Sequence, residues 1–140
     1  MQQQISVITL GVQDLERSKR FYTAGFGWTP VFENDEIVFY QMNGFVLGTW
    51  RTRDLEADMQ RPGLMRPGAF SLAHNVGSAI EVDRVIAQLA AAGGRVLRTG
   101  DAPEHGGFRG YVADPDEHAW EIAWNPVWAI DDRGHVTFRM

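Results

Sequence analysis

A chain of 140 residues that is 44% hydrophobic, 11% aromatic and 22% charged has the make-up of one globular domain and is too apolar for intrinsic disorder. At this length folding hides about 68–70% of the unfolded surface, so no disulfide or structural metal is required; with cysteine absent, thiol nucleophiles, thiolate metal sites and disulfides are excluded. The balance of 13 Lys and Arg against 18 Asp and Glu, a net charge of −5, argues against a sequence-independent grip on nucleic acid or anionic lipid.

Residues 1–4 carry no basic segment leading into an apolar run, and no stretch reaches the ~18 consecutive apolar residues of a membrane span, so the expectation is a cytoplasmic protein without nucleic-acid or membrane partners. Residues 5–12 are rich in β-branched side chains and read as a strand, with Asp14 as the N-cap of the helix that follows. Leu15, Ser18, Phe21 and Tyr22 fall at helical spacing, and Gly25 and Gly27 end the pattern. Three short apolar runs follow at 28–32, 37–42 and 45–50, separated by turn residues. Residues 51–69 hold charges, prolines and glycines with little periodicity and read as a connector. The order then repeats: a strand at 70–76, a helix through Val82, Val85, Ile86 and Leu89 closed by Gly93 and Gly94, and strands at 95–98, 107–113 and 119–124. The tail, 125–140, alternates Val136, Phe138 and Met140 after a turn at 131–134, which predicts a short strand or arm packed on the body or on a second subunit.

Spacing tests the repeat. Matching Val7 to Ser71 gives an offset of 64, and matching Asn43 to Asp116 gives 73, which sets Gly48 against Glu121 and places the extra residues of the second copy in the glycine-rich stretch 99–108. The chain is therefore expected to be α+β: two paired βαβββ modules, 5–50 and 70–124, forming a curved mixed sheet around a cleft with helices outside, a linker at 51–69 and an arm at 125–140.

Three stretches then carry a resemblance: Gly11-Val-Gln-Asp-Leu-Glu-Arg-Ser-Lys-Arg-Phe-Tyr22 with the following Gly-Phe-Gly-Trp28, residues 80–94, and Tyr111-Val-Ala-Asp-Pro-Asp-Glu-His-Ala-Trp-Glu121. Over roughly residues 5–125 the chain resembles the vicinal oxygen chelate superfamily, which includes glyoxalases, extradiol dioxygenases, fosfomycin-modifying enzymes and bleomycin-resistance proteins. The resemblance implies the fold and a homodimer; it leaves the activity open, because the family supports isomerisation, ring cleavage, group transfer and sequestration on one frame. In metal-dependent members, His or Glu side chains on the first and fourth strands of each module hold the ion. Those positions fall here on Val7, Gly48, Ser71 and Glu121. One carboxylate with a hydroxyl beside it does not compete with water for a divalent ion, so no metal or other cofactor is expected.

His74 lies in the strand that should carry a ligand. If Ser71 and Ala73 face the cleft, alternation turns His74 toward the helices, and a one-residue bulge would reverse that. His118 and Glu121 are three apart and so point opposite ways on a regular strand. His105 and His135 sit in polar, glycine-bearing segments and read as solvated loop residues. Glu121 stands among small residues on the inner face, where it can anchor a ligand or act as a base; its structural alternative is an ion pair with Arg109 or Arg51. Val46, Gly48 and Trp50 share a face, so a glycine makes room beside a flat indole suited to a planar or apolar guest. Tyr40 or Phe39, whichever points inward, extends that wall, and Tyr40 is taken as the candidate. Gly93-Gly94 and Gly106-Gly107 lack the Lys and Ser or Thr of phosphate loops.

The sequence thus points to a small-molecule ligand held without a metal, in the manner of the sequestering members. The contacts are Trp50, Tyr40, Ser71, His74 and Glu121, with Glu121 also the candidate catalytic residue. Two enzyme readings stay open: a metal-dependent lyase, isomerase or dioxygenase using His74 and Glu121, and a metal-free isomerase with Glu121 as base.

Overall fold

The amino-terminal β-branched run forms β1 (Val7–Val12), and the Asp14 side chain begins helix α1 (Leu15–Arg20) by accepting the Arg17 N–H at 2.9 Å. This computed structural model describes residues 1–3, 5–63, 67–68 and 70–138, without the side chain of Phe138. The helix widens into a π-helical turn, Phe21–Gly25, and the chain returns through β2 (Phe32–Glu33), β3 (Ile37–Gln41) and β4 (Val46–Arg51). Helix α2 (Thr52–Met59) lies in the connector, and β5 (Leu72–Asn75), α3 (Ala79–Ala91), β6 (Arg95–Asp101), β7 (Phe108–Ala113) and β8 (Ala119–Trp124) repeat the order. The arm is a hairpin of its own, β9 (Trp128–Ile130) with β10 (Val136–Phe138); Met140 lies outside the described residues.

The sheets run β1-β4-β3-β2 and β5-β8-β7-β6, each with one parallel pair (β1 with β4, β5 with β8) and antiparallel neighbours. In the first ladder Thr9 lies opposite Gly48, and in the second Ala73 lies opposite Glu121, so the offsets of 64 and 73 read from spacing recur in the backbone pairing. The extra length of the second copy sits around β6, whose pairing with β7 shifts register twice.

Two elements differ from the sequence reading. The run at 28–32 yields only a two-residue strand, because Trp28 leaves the sheet and stacks on Phe26 with ring centroids 4.2 Å apart. The connector contains α2: Thr52, Leu55, Glu56 and Met59 hold the i, i+3, i+4, i+7 spacing of one helical face, a signal masked by the charges around it and by Pro62 and Gly63 just beyond.

Both sheets turn one face to the helices. Leu10, Tyr40 and Leu47 from the first and Val112, Trp120 and Ile122 from the second join Phe21, Tyr22 and the α3 residues Val82, Ile86 and Leu89 in one core. Packing is close where the modules meet: a Cβ on Gly94 would stand 2.8 Å from the Phe21 ring and 2.7 Å from Val112. The seam is also polar. The Tyr22 hydroxyl donates to the buried Asp114 carboxylate at 2.7 Å and accepts from Trp120 Nε1 at 3.2 Å. Nearby, Asp116 accepts from the Gln13 N–H at 2.9 Å and from Arg17 at 3.1 Å.

Replacing Tyr22 by Phe keeps the ring and deletes a hydrogen bond to a buried charged acceptor, so urea unfolding should show a loss of about 1.5–3 kcal/mol. Removing the exposed Arg95–Glu117 pair with Arg95→Ala should leave the unfolding midpoint almost unchanged. Equal losses in the two variants would remove Asp114 as the anchor of the seam.

Candidate functional site

The faces turned away from the helices alternate with the core positions. On β4 these are Val46, Gly48 and Trp50, between the buried Leu47 and Thr49; on β8 they are Ala119, Glu121 and Ala123, between the buried Trp120 and Ile122. A groove of about 770 Å³ lies where the modules meet, between the end of β1, the connector at Pro67, Gly68 and Phe70, and the turn at 115–118. Its wall is the unforeseen stripe of α2: Thr52, Leu55, Glu56 and Met59. Thr9, Gly11 and Ala119 also line it, and they belong to the open faces. Trp50, the ladder partner of Gly11, and Glu121, two residues along β8 from Ala119, share the open faces with these residues but do not themselves line the groove.

Of the residues expected to contact a ligand, Trp50, Ser71 and Glu121 stand on or beside the open faces; Trp50 keeps its indole N–H covered and unpaired. Tyr40 does not join them. It is 1% exposed in the core, 5.7 Å from the Tyr22 ring, and burial pushes its hydroxyl pKa well above the ordinary value of 10.0. Phe39 takes the open position instead, as strand parity requires. His74 lies on the helix side, where alternation turns it: its ladder partner is Ile122, and its ring meets Phe26 and Trp28 edge to face at 5.6 and 6.4 Å. Because the partner of Glu121 is Ala73, His74 and Glu121 point to opposite faces and cannot close on one ion.

The sequence reading holds Phe39 as the alternative to Tyr40 and misses Tyr111. The turn after β7 pairs Ala113 with Ala119 and so sets Tyr111 directly opposite Glu121. Burial first, and then the hydrogen-bonded Glu121 carboxylate, raise the Tyr111 hydroxyl pKa, which keeps it a donor near neutral pH. Counting back from the turn over an even number of residues would have found it. The ion-pair alternatives for Glu121 do not form: Arg109 engages Asp101, and Arg51 engages Glu36 and Asp54.

Family members that use a divalent metal would place it among Val7, Gly48, Ser71 and Glu121, and the donors present do not fit. Only Glu121 is a strong ligand. The Phe39 ring lies across Gly48, where a Cβ would stand 3.0 Å from Phe39 Cε1, so a liganding side chain at that position would have to displace the ring. Among the described residues no group of three or more His, Asp or Glu is placed to hold an ion.

The profile of the Glyoxalase/Bleomycin resistance protein/Dioxygenase superfamily matches residues 4–122. The chain belongs to this superfamily. A glyoxalase-related enzyme from Fulvimarina pelagi is similar over 99% of this chain and 100% of its own, with 59% identity and a TM-score of 0.97. A lactoylglutathione lyase from Agrobacterium tumefaciens (20% identity, 94% of this chain and 100% of that one, TM-score 0.72) and the hypothetical protein SA1046 from S. aureus (23%, 89% and 95%, TM-score 0.78) share the fold. No helix among the described residues is long and apolar enough to cross a membrane.

Burial lowers the His74 pKa from its ordinary 6.5, so the folded protein favours the neutral ring. The unfolded chain then binds a proton that the folded chain refuses. Stability from this site is complete above the unfolded value and lost as the pH falls below it. Thermal melts should therefore show Tm declining as the pH falls below the ordinary histidine value of 6.5, less steeply in His74→Asn. The same slope in both proteins would assign the titration to another group.

Proposed function

We propose that this superfamily domain, with halves at 5–50 and 70–124, binds a small organic molecule with a planar or apolar body at the module junction, without a catalytic metal, and sequesters it. The observation that carries the reading is the donor set: one carboxylate stands where four ligand positions should be, and an aromatic ring covers one of the vacated ones. What remains suits an organic guest. Phe39, laid over Gly48, and Trp50 supply flat apolar area, the alanines of β8 leave space above the second sheet, and Glu121 with Tyr111 supplies polar contact.

The same reading makes the protein a cytoplasmic homodimer. The hairpin of β9 and β10 leaves Val127, Ile130 and Val136 between 37% and 56% exposed, and a two-stranded ribbon gains stability when such residues are covered.

Protein purified without chelators should contain far less than one equivalent of Ni, Zn, Fe or Mn per chain by elemental analysis. Stoichiometric metal would overturn the proposal. In a thermal-shift screen of planar metabolites, a true ligand should raise Tm in a concentration-dependent way. The tryptophan quenching that accompanies it should be largely lost in Trp50→Phe; undiminished quenching would move the guest away from the first sheet.

A further inference from the structure

One row of side chains crosses the second sheet on its open face. Arg98 on β6 pairs with Tyr111 on β7, Tyr111 with Glu121 on β8, and Glu121 with Ala73 on β5. The charges along this row are unevenly answered. Arg98 binds Asp101 at 2.7 Å, and Arg109, two residues along β7 from Tyr111, binds the same carboxylate. Glu121 receives only the neutral hydroxyl of Tyr111 and forms no ion pair among the described residues. Arg98 is two strands away on the far side of Tyr111, roughly 9–10 Å by strand spacing. On the other side the ladder partner of Glu121 is Ala73, with Ala119 and Ala123 before and after Glu121, so its neighbours within the sheet on that side are small.

We propose that this face takes an organic cation, an alkyl- or arylammonium group seated over Ala73 with its charge on Glu121 and its flank against the Tyr111 ring. The assignment rests on the small-molecule site argued above and names the chemical class that site prefers. A carboxylate and a phenol ring side by side attract a cation by charge and by the negative face of the ring, and reject an anion on both counts. Tyr111 also fixes the carboxylate through its hydroxyl, so the ordering cost falls on the protein before the guest arrives.

Three size-matched probes test this: phenethylammonium, 2-phenylethanol and phenylacetate, titrated at neutral pH into the full-length protein and followed by calorimetry or NMR shifts. Phenethylammonium should bind about tenfold tighter than 2-phenylethanol, and phenylacetate most weakly. Glu121→Gln should bring the cation and the alcohol to similar affinity. Ala73→Phe, at an exposed position where folding is not at stake, should weaken the cation by crowding its seat. Equal binding of all three probes to the unaltered protein would overturn the cation assignment and leave the small-molecule site standing, whereas no binding of any probe would overturn both. A cation preference that persists in both variants would also overturn the assignment, because the charge would then be read elsewhere.

Discussion

The arrangement of the two halves depends on one buried carboxylate. Asp114 is 1% exposed and yet meets the Tyr22 hydroxyl, the backbone N–H groups of Asp116 and His118, and His118 Nδ1, all between 2.7 and 3.1 Å. A buried carboxylate so surrounded is held in place, because leaving any one donor unanswered in the core costs more than making the contact gains. Three of these groups come from its own turn and the fourth from the other module. The carboxylate therefore shapes the turn and fastens it to the first half in one step. The groove floor inherits that precision: Ala119 begins where the turn ends, and Glu121 sits two residues further on.

The arm repeats the local half of this design without the rest. Asp131 accepts from the N–H groups of Arg133 and His135, with His135 Nδ1 at 3.1 Å, and Gly134 takes the positive φ that Glu117 takes in the buried turn. Here the pair stays half exposed and its acid is held below the ordinary carboxylate range mainly by the His135 backbone N–H. One sequence device thus serves two ends. In water it forms a hairpin turn; with a tyrosine from another module laid over it, it becomes a joint.

The legible part of the fold was whatever depends on parity and spacing. The two offsets come from spacing, and the turning of His74 to the face opposite Glu121 follows from residues alternating at a period of two. Tyr40 and Phe39 show where that logic lacked an origin. Either parity fits an apolar run on β3, and only the pairing of Phe39 with Gly48 fixes which ring meets the helices. Helix α2 was hidden for another reason: its inward stripe is half polar, since it faces a groove and not the core, so hydrophobic periodicity had little to detect. Trp28 reads as strand because β propensity is local, whereas its contacts with His74 and Trp120 are tertiary.

The two similar halves differ at equivalent places, and the difference gives the proposed site a direction. In the first, the β3 aromatic Phe39 covers a glycine and the surface is apolar; in the second, the β7 aromatic Tyr111 faces a carboxylate and the surface is polar. Two identical halves would present a ligand with a symmetric surface and no preferred orientation. Gly48 and Glu121 break that symmetry at the two places where matched donors would otherwise have shared a metal. A glycine in one half and a carboxylate in the other set an apolar surface beside a polar one, and that asymmetry supports the proposed amphipathic organic guest over an ion shared between matched donors.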